Sequence, residues 1–176
     1  MAIWRAKLNQ LQKQLLLVCV CLFALNGWAI ADSMSIKNDA YRALTAGNYA
    51  KAEKLFRPLA EQGDADAQGY LGFLYLEGKG VIQDYKEAFK WYRLAAEQGD
   101  VDAQMRLGNM YADGLGVPQN LVRAHMWYNI SAVNEKDGEV AISMRNDLVQ
   151  QMTSAQIAKA QELARKCMAQ KFKGCE

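Results

Sequence analysis

The sequence has few of the residues that catalysis requires. It contains a single histidine, His125, in 176 residues, which leaves one candidate for a general base that titrates near neutral pH. No second residue supports a catalytic or metal role for His125, so we expect it to pack in a helix. None of the five serines begins the Ser-x-x-Lys pattern of penicillin-recognising enzymes. These absences argue against an enzyme.

The chain also lacks a phosphate-binding loop, although two glycine pairs invite the comparison. They are Gly78-Lys79-Gly80 and Gly114-Leu115-Gly116. A Walker loop needs two glycines five residues apart, then lysine and serine or threonine, after a β-strand. Neither pair has that context. We interpret both as turns between helices, in which glycine supplies a positive φ.

No apolar run is long enough to span a membrane, and the N-terminus instead has the pattern of a signal peptide. Basic residues precede an apolar run of 11 residues, 15–25, and Ala29-Ile30-Ala31 then offers the small-x-small sequence of a cleavage site. We expect cleavage after Ala31 and a periplasmic or secreted protein. A membrane anchor is disfavoured because a span needs about 20 apolar residues. A lipid attachment is disfavoured because Cys19 and Cys21 both follow valines.

The chain without this leader has no excess of basic charge. Residues 1–31 contain three basic residues, Arg5, Lys7 and Lys13, and no acidic residue. The rest of the chain therefore has 18 of the 21 basic residues and all 19 acidic residues. A nucleic-acid partner would require a basic patch or stripe, and no block of basic residues is visible. We therefore expect no nucleic-acid partner.

Cleavage would leave only two cysteines, Cys167 and Cys175. In an oxidising compartment this pair predicts a disulfide, whereas two free thiols would fit a reducing one. Eight residues of helix separate their ends by about 12 Å, but bridged Cα atoms lie within about 7 Å, so the helix must break near Gly174. Zinc is disfavoured because two cysteines do not complete a four-ligand site. We expect no metal and no cofactor.

The central part of the chain is a tandem repeat of one 36-residue unit. Gly63–Gln98 aligns with Gly99–Asn134 without a gap and gives 16 identities over a 36-residue period. Self-similarity at a period of this length is typical of a solenoid, in which each unit buries its apolar face against its neighbours.

Each copy predicts two helices. In the first copy Asp64 can cap one helix, Gly78 can end it, and Asp84 can cap the next. Gly72 and Gly108 stand inside the first helices, where glycine costs about 1 kcal/mol relative to alanine, so we expect a neighbouring helix to approach closely there. The apolar positions at helical spacing are Ala67, Leu71, Leu74 and Tyr75, then Ala88, Trp91, Tyr92 and Ala95.

The flanking segments predict two divergent units. Residues 32–62 give helices from about 36 to 45 and from 49 to near Gly63, and Pro58 is expected to kink the second or to end its regular hydrogen bonding. Residues 135–176 give a helix over 140–152, then a helix that opens with a Thr153-to-Gln156 capping box and ends near Gln170. We interpret this last segment as a degenerate repeat and C-terminal cap.

The repeated residues resemble the Sel-one-like repeat family, a relative of the tetratricopeptide repeat with a longer loop between its helices. The resemblance covers the two copies, 63–98 and 99–134, outright and extends to weaker units on both sides, so that it accounts for nearly all of the chain after residue 33. The chain looks like an exported, bacterial-type member. It implies an all-α fold, a right-handed α/α superhelix of about four helix-turn-helix repeats, and a role as an adaptor for other proteins. The residues that carry it are Ala67, Leu71, Gly72, Gly78, Gly80, Val81, Asp84, Ala88, Trp91, Tyr92, Ala96 and Gly99.

The same resemblance implies a groove lined by the first helix of each unit. We predict that a protein or peptide segment binds there, with Tyr41, Phe73 and Met105 as an apolar strip and Asn109 as an amide for the peptide backbone. The alternative, that these are ordinary surface positions, stays open. The groove candidates are Tyr41, Leu44, Asp66, Phe73, Met105 and Asn109, flanked by Gly69, Leu76, Asp102 and Ala112.

Together these observations predict a non-enzymatic adaptor in the cell envelope or outside the cell, with a protein or peptide partner. Two alternatives remain. The chain could regulate or inhibit a cell-wall enzyme through the same groove, or, less favoured, act as a weak β-lactamase or penicillin-binding protein.

Overall fold

The computed structural model describes residues 33–133 and 138–175, and the chain divides into two units, Met1–Asn38 and Asp39–Glu176. The leader predicted for residues 1–31 lies outside the described residues. Of the first unit, residues 33–38 are described, and they are helical. The described residues form eight α-helices and no strand, in agreement with the all-α repeat fold. They are α1 (33–45), α2 (Tyr49–Glu61), α3 (Ala65–Glu77), α4 (Tyr85–Ala96), α5 (Val101–Asp113), α6 (Leu121–Ser131), α7 (Gly138–Val149) and α8 (Ser154–Ala169).

Aspartates cap three of the four helices in the two copies, as predicted. The Asp64 carboxylate accepts a hydrogen bond from the Ala67 N–H at 2.9 Å, and Asp84 does the same for the first turn of α4. These bonds satisfy N–H groups that have no partner within the helix. The left-handed residue Gly78 ends α3. The cap of α6, Asn120, was not predicted, because it replaces the aspartate of the preceding copy.

The glycines inside α3 and α5 lie under tyrosine rings. A Cβ atom at Gly72 would stand 2.8 Å from two ring atoms of Tyr92 on α4, and one at Gly108 would overlap the ring of Tyr128 on α6. Each ring therefore rests directly on the backbone of the other helix in its pair. This confirms the predicted close approach, and the contact offsets the conformational cost of a helical glycine.

The helices of the second unit pack in sequence along the chain. α2 packs on α3, α3 on α4, α4 on α5 and α5 on α6, and both α7 and α8 pack on α6. One core cluster runs from Ala40 to Leu74 and includes Trp91, and the other begins at Ala88. Phe73 and Tyr75 contact both clusters, so the buried apolar layer continues from one repeat into the next.

Pro58 does not end α2, which continues to Glu61. Proline removes one N–H donor, and the helix tolerates this loss in its last turn, where the Gln62 N–H still bonds the Pro58 carbonyl at 3.2 Å. α2 therefore ends close to Gly63, as predicted, and Pro58 does not end its regular hydrogen bonding, which was one of the two effects expected of it.

The C-terminal cap is closed by the predicted disulfide between Cys167 and Cys175, whose Cα atoms lie 5.1 Å apart. α8 ends at Ala169, and the left-handed residues Lys171 and Phe172, with φ of 53° and 66°, turn the chain back. The helix therefore breaks just before Gly174, as the spacing required. The Phe172 ring packs against the larger core cluster and beside Gly99.

The contact of Tyr128 with Gly108 predicts the effect of a single methyl group. We expect Gly108→Ala to destabilise the protein by about 1–3 kcal/mol, because the new Cβ overlaps the ring and the ring must move out of a packed core. Thermal unfolding followed by circular dichroism measures this change.

Gly69 provides the matched control, because it lies inside α3 and a Cβ there meets no atom within 4 Å. Gly69→Ala should leave the unfolding temperature unchanged or raise it, since alanine is the better helix former. An equal loss of stability in both variants would show that helix propensity, and not the ring contact, governs these positions.

Candidate functional site

A cavity of about 520 Å³ opens on the second unit where the first helices of three successive repeats meet. Tyr41 and Leu44 come from α1, and Tyr49 begins α2. Ligand pockets in proteins commonly have volumes of roughly 300–1,000 Å³, so this cavity falls within their range. The remaining lining residues are Asp66, Gly69, Tyr70 and Phe73 of α3, Tyr92 of α4, Asp100 before α5, and Asp102, Ala103 and Arg106 of α5. We call these twelve residues the groove pocket.

Aromatic packing fixes one side of the groove pocket. The Tyr41 ring meets the Phe56 and Tyr70 rings edge to face, with centroids 5.5 Å and 5.3 Å away. Phe56 and Tyr70 are stacked, with centroids 5.0 Å apart. Because Phe56 is fully buried, it anchors both tyrosines. The pocket wall is therefore preorganised before a ligand arrives.

Gly69 makes room for the groove pocket. A Cβ atom at Gly69 would meet no atom of the described structure within 4 Å, whereas one at Gly72, the other glycine of α3, would overlap the Tyr92 ring. A helical glycine without a packing role costs about 1 kcal/mol relative to alanine. The equivalent position in the next copy is Met105, whose side chain packs against the core. The open space is thus a property of the first copy alone.

Three carboxylates and one guanidinium line the pocket. Asp102 lies exposed in the first turn of α5, and Asp66 stands 3.5 Å from the Tyr41 hydroxyl, which donates to it. Burial raises the pKa of Asp100, and the negative charges of Asp102 and Asp66 raise it further. Burial also raises the pKa of Tyr92 well above its ordinary value. With three aspartates and one arginine, the pocket lining has more acidic than basic side chains.

Four of the six groove residues predicted from the sequence come together in this pocket: Tyr41, Leu44, Asp66 and Phe73. The other two do not line it. Met105 packs against the core, and Asn109 lies beside a separate cavity of about 300 Å³, where its Oδ1 accepts a hydrogen bond from the Tyr128 hydroxyl at 2.8 Å. The binding role of all six residues stays a prediction.

Six pocket residues were missing from the predicted groove: Tyr49, Tyr70, Tyr92, Asp100, Ala103 and Arg106. A signal existed for Tyr70 and Arg106, because these equivalent positions carry different residues in the two copies. The other four could not be found in this way. They belong to a second helix, to a helix cap or, for Ala103, to the buried side of α5, and only the packing of α1, α3 and α5 brings them to the same cavity.

His125 is buried, with 2% of its surface exposed, and lies outside the groove pocket. Its Nδ1 is 2.8 Å from the Asn129 amide nitrogen, which is a donor, so Nδ1 accepts. Arg145 of α7 donates to the Asn129 Oδ1 at 3.1 Å. Burial lowers the pKa of His125, and the positive charge of Arg145 lowers it further. His125 is therefore a neutral packing residue, as its sequence position indicated.

This lowered pKa predicts a pH dependence of stability. The folded protein binds a proton at His125 less well than the unfolded chain does. The contribution of His125 to the free energy of unfolding is therefore fully present above its unfolded pKa of about 6.5, and it is lost as the pH falls through its folded pKa. Each unit of difference corresponds to about 1.4 kcal/mol. Urea unfolding at pH 8 and pH 5 measures the loss.

His125→Phe is the control, because phenylalanine stands at the equivalent position of the preceding copy, Phe89. The variant should lose less stability than the native protein between these pH values. Identical losses in both proteins would show that His125 does not contribute.

Two further features, a metal-binding cluster and a membrane-spanning helix, are absent from the described residues. Within 33–133 and 138–175, no three histidine, cysteine, aspartate or glutamate side chains are grouped as a metal ion would require. In the same ranges, no helix combines the length and the apolar content needed to cross a bilayer. The chemistry available in the groove pocket is binding through aromatic faces, carboxylates and a guanidinium.

Comparison with known proteins supports the repeat assignment. The family described as Sel1 repeat matches residues 42–64, 65–100 and 101–132. A crystal structure of c5321, a protective antigen of uropathogenic Escherichia coli strains with an SLR fold, is similar to this chain at a TM-score of 0.75 and 30% identity. The Sel1 repeat protein from Oxalobacter formigenes is similar at a TM-score of 0.61 and 29% identity. A search of curated proteins gave no match.

The two solved structures are longer than the matched region. The similarity covers 81% of this chain and 31% of the antigen, and 74% of this chain and 54% of the Oxalobacter formigenes protein. The chain therefore corresponds to about a third to a half of these relatives, and what they share with it is the stack of repeats.

Proposed function

Because the chain belongs to the Sel1 repeat family, whose members generally act in protein–protein interaction, we propose that it is a non-enzymatic adaptor of the cell envelope that binds a protein or peptide segment in the groove pocket. The observation that carries this proposal is the pocket itself, which three successive first helices form together.

The position of the pocket suits an extended segment. α1, α3 and α5 each contribute side chains to it, so a bound segment would contact several repeats at once. Repeat proteins use such extended surfaces for binding, because each unit adds contacts to the same ligand. Gly69 keeps the middle of this surface open at a cost in helix stability that no packing contact explains.

An envelope location is supported by two observations. The N-terminal sequence has the pattern of a cleaved leader, and the Cys167–Cys175 disulfide is of the kind that persists in oxidising compartments.

The proposed export predicts a defined mature N-terminus. When the full chain is expressed in a bacterial host and recovered from the envelope fraction, N-terminal sequencing should begin at Asp32, because Ala29-Ile30-Ala31 completes the cleavage pattern. Ala31→Arg, which removes the small residue at the cleavage position, should leave the leader attached. Recovery of the native chain from the cytoplasm with an intact Met1 would contradict export.

The proposed binding surface can be tested with a photoreactive amino acid. p-Benzoylphenylalanine in place of Leu44, at the groove pocket, should form a covalent adduct with the partner in cells of the native host. The same group in place of Lys54, an exposed α2 residue outside the pocket, should not. Mass spectrometry identifies the partner, and a cell-wall hydrolase among the adducts would favour the regulatory alternative.

The variant Gly69→Leu is the matched control, because it should block the pocket without unfolding the helix. The leucine side chain fills the pocket, yet its Cβ meets no atom within 4 Å, so the helix should be at least as stable. The adduct at position 44 should disappear in Gly69→Leu, while circular dichroism shows an unchanged or higher unfolding temperature. An adduct of undiminished yield in this variant would contradict binding in the groove pocket.

A further inference from the structure

The lining of the groove pocket has the composition of a cation site. Five of its twelve residues are aromatic and three are aspartates, against one arginine. We infer that the segment bound by the proposed adaptor carries a lysine or arginine side chain, which enters this pocket. The inference rests on the proposed function and adds to it the chemistry of the partner. Aromatic faces and carboxylates together attract ammonium and guanidinium groups, which are held by both kinds of contact.

The protein itself shows that the aromatic wall attracts an ammonium group. The Lys79 Nζ lies 4.8 Å from the centroid of the Phe73 ring and 5.6 Å from that of the Tyr49 ring. Both rings line the groove pocket. Distances within about 6 Å are those at which a cation is attracted by the ring quadrupole. The same two side chains that a partner would meet therefore already bind a lysine.

The carboxylates of the pocket repel one another in the absence of a cation. The pKa of Asp100 is raised by burial and then by the charges of Asp102 and Asp66. A positive group placed among them would remove this repulsion and would favour the ionised form of Asp100. An anionic partner would instead add a further like charge, so the electrostatics discriminate against it.

Arg106 and Lys79 weaken this preference without reversing it. Arg106 lies four residues after Asp102 on α5, the spacing at which opposite charges are neighbours on a helix, so it offsets one carboxylate in part. Lys79 is held on the faces of Phe73 and Tyr49, outside the set of lining residues. Asp66 and Asp100 also line the cavity, where the first accepts from the Tyr41 hydroxyl and the second from the Ala103 N–H.

Three residues of the first copy at or beside the site are not repeated in the next copy. Met105, Asn109 and Leu115 replace Gly69, Phe73 and Lys79 at the equivalent positions of the following copy. That copy therefore lacks the open space, the ring and the lysine. A partner would place its basic side chain at a single position along the stack, which fixes the register of the bound segment.

A peptide selection tests the inference. A bead-displayed library of 12-residue peptides of all twenty amino acids is selected on the native protein, after removal of peptides that bind Gly69→Leu. We expect the retained peptides to be enriched in lysine and arginine several-fold over the starting library. The affinity of the best peptide should fall by about three- to tenfold in Asp102→Asn, and it should fall again when the NaCl concentration rises from 50 to 500 mM.

Glu61→Gln is the matched control for charge, because it removes one exposed carboxylate outside the groove pocket. Its affinity should stay within about twofold of the native value, since rim charges that are distant from a site change binding little. Circular dichroism confirms that each variant is folded, so that a loss of affinity reports the site.

The outcomes separate this inference from the proposed function. Retained peptides enriched in acidic or apolar residues would overturn the cation preference while leaving the groove as a binding surface. Failure to retain any peptide that distinguishes the native protein from Gly69→Leu would overturn the inference, and the crosslinking yield at position 44 would then decide the proposed function independently.

Discussion

The fold depends on the contact between a tyrosine ring and a helical glycine in each copied unit. Tyr92 covers Gly72 and Tyr128 covers Gly108, at distances that leave no room for a Cβ atom. This contact sets how closely the two helices of a pair approach, and the burial of each ring removes a large apolar area from water. The spacing of successive pairs follows from it, because each pair buries its remaining apolar face against the next.

The open space of the groove pocket lies where the copies differ, whereas the glycines that they share are used to build the stack. Gly72 and Gly108 are equivalent and both are covered by rings. Gly69 and Met105 are equivalent too, but one leaves a cavity and the other fills its place with a side chain that packs on the core. This difference in side-chain volume thus opens space at the α3 position that a side chain fills at the α5 position.

Much of the fold followed from the sequence because its determinants are local. The caps Asp64 and Asp84 and the left-handed Gly78 act within a few residues of their own position, and Cys167 and Cys175 are the only cysteines of the sequence after residue 21. Pro58 does not end the regular hydrogen bonding of α2, because a proline in the last turn of a helix removes one donor and the remaining turn still forms.

The pocket could be predicted only in part, because its shape depends on packing across repeats. Periodicity placed Tyr41 and Phe73 on first helices, and the resemblance to the repeat family then implied that they share one surface. It could not show that the Asn109 amide oxygen bonds the Tyr128 hydroxyl, nor that Tyr92 reaches the cavity from a second helix. Such contacts join residues from different elements, whereas spacing along one helix reports only its own faces.

The most direct test of a basic segment bound in the groove pocket is a backbone amide NMR titration of the ¹⁵N-labelled protein with a selected lysine-containing peptide. The largest shift changes should occur at pocket residues such as Gly69, Phe73 and Ala103, and they should saturate together with one dissociation constant. Shift changes confined to α7 and α8, with those three amides unmoved, would contradict binding in this pocket.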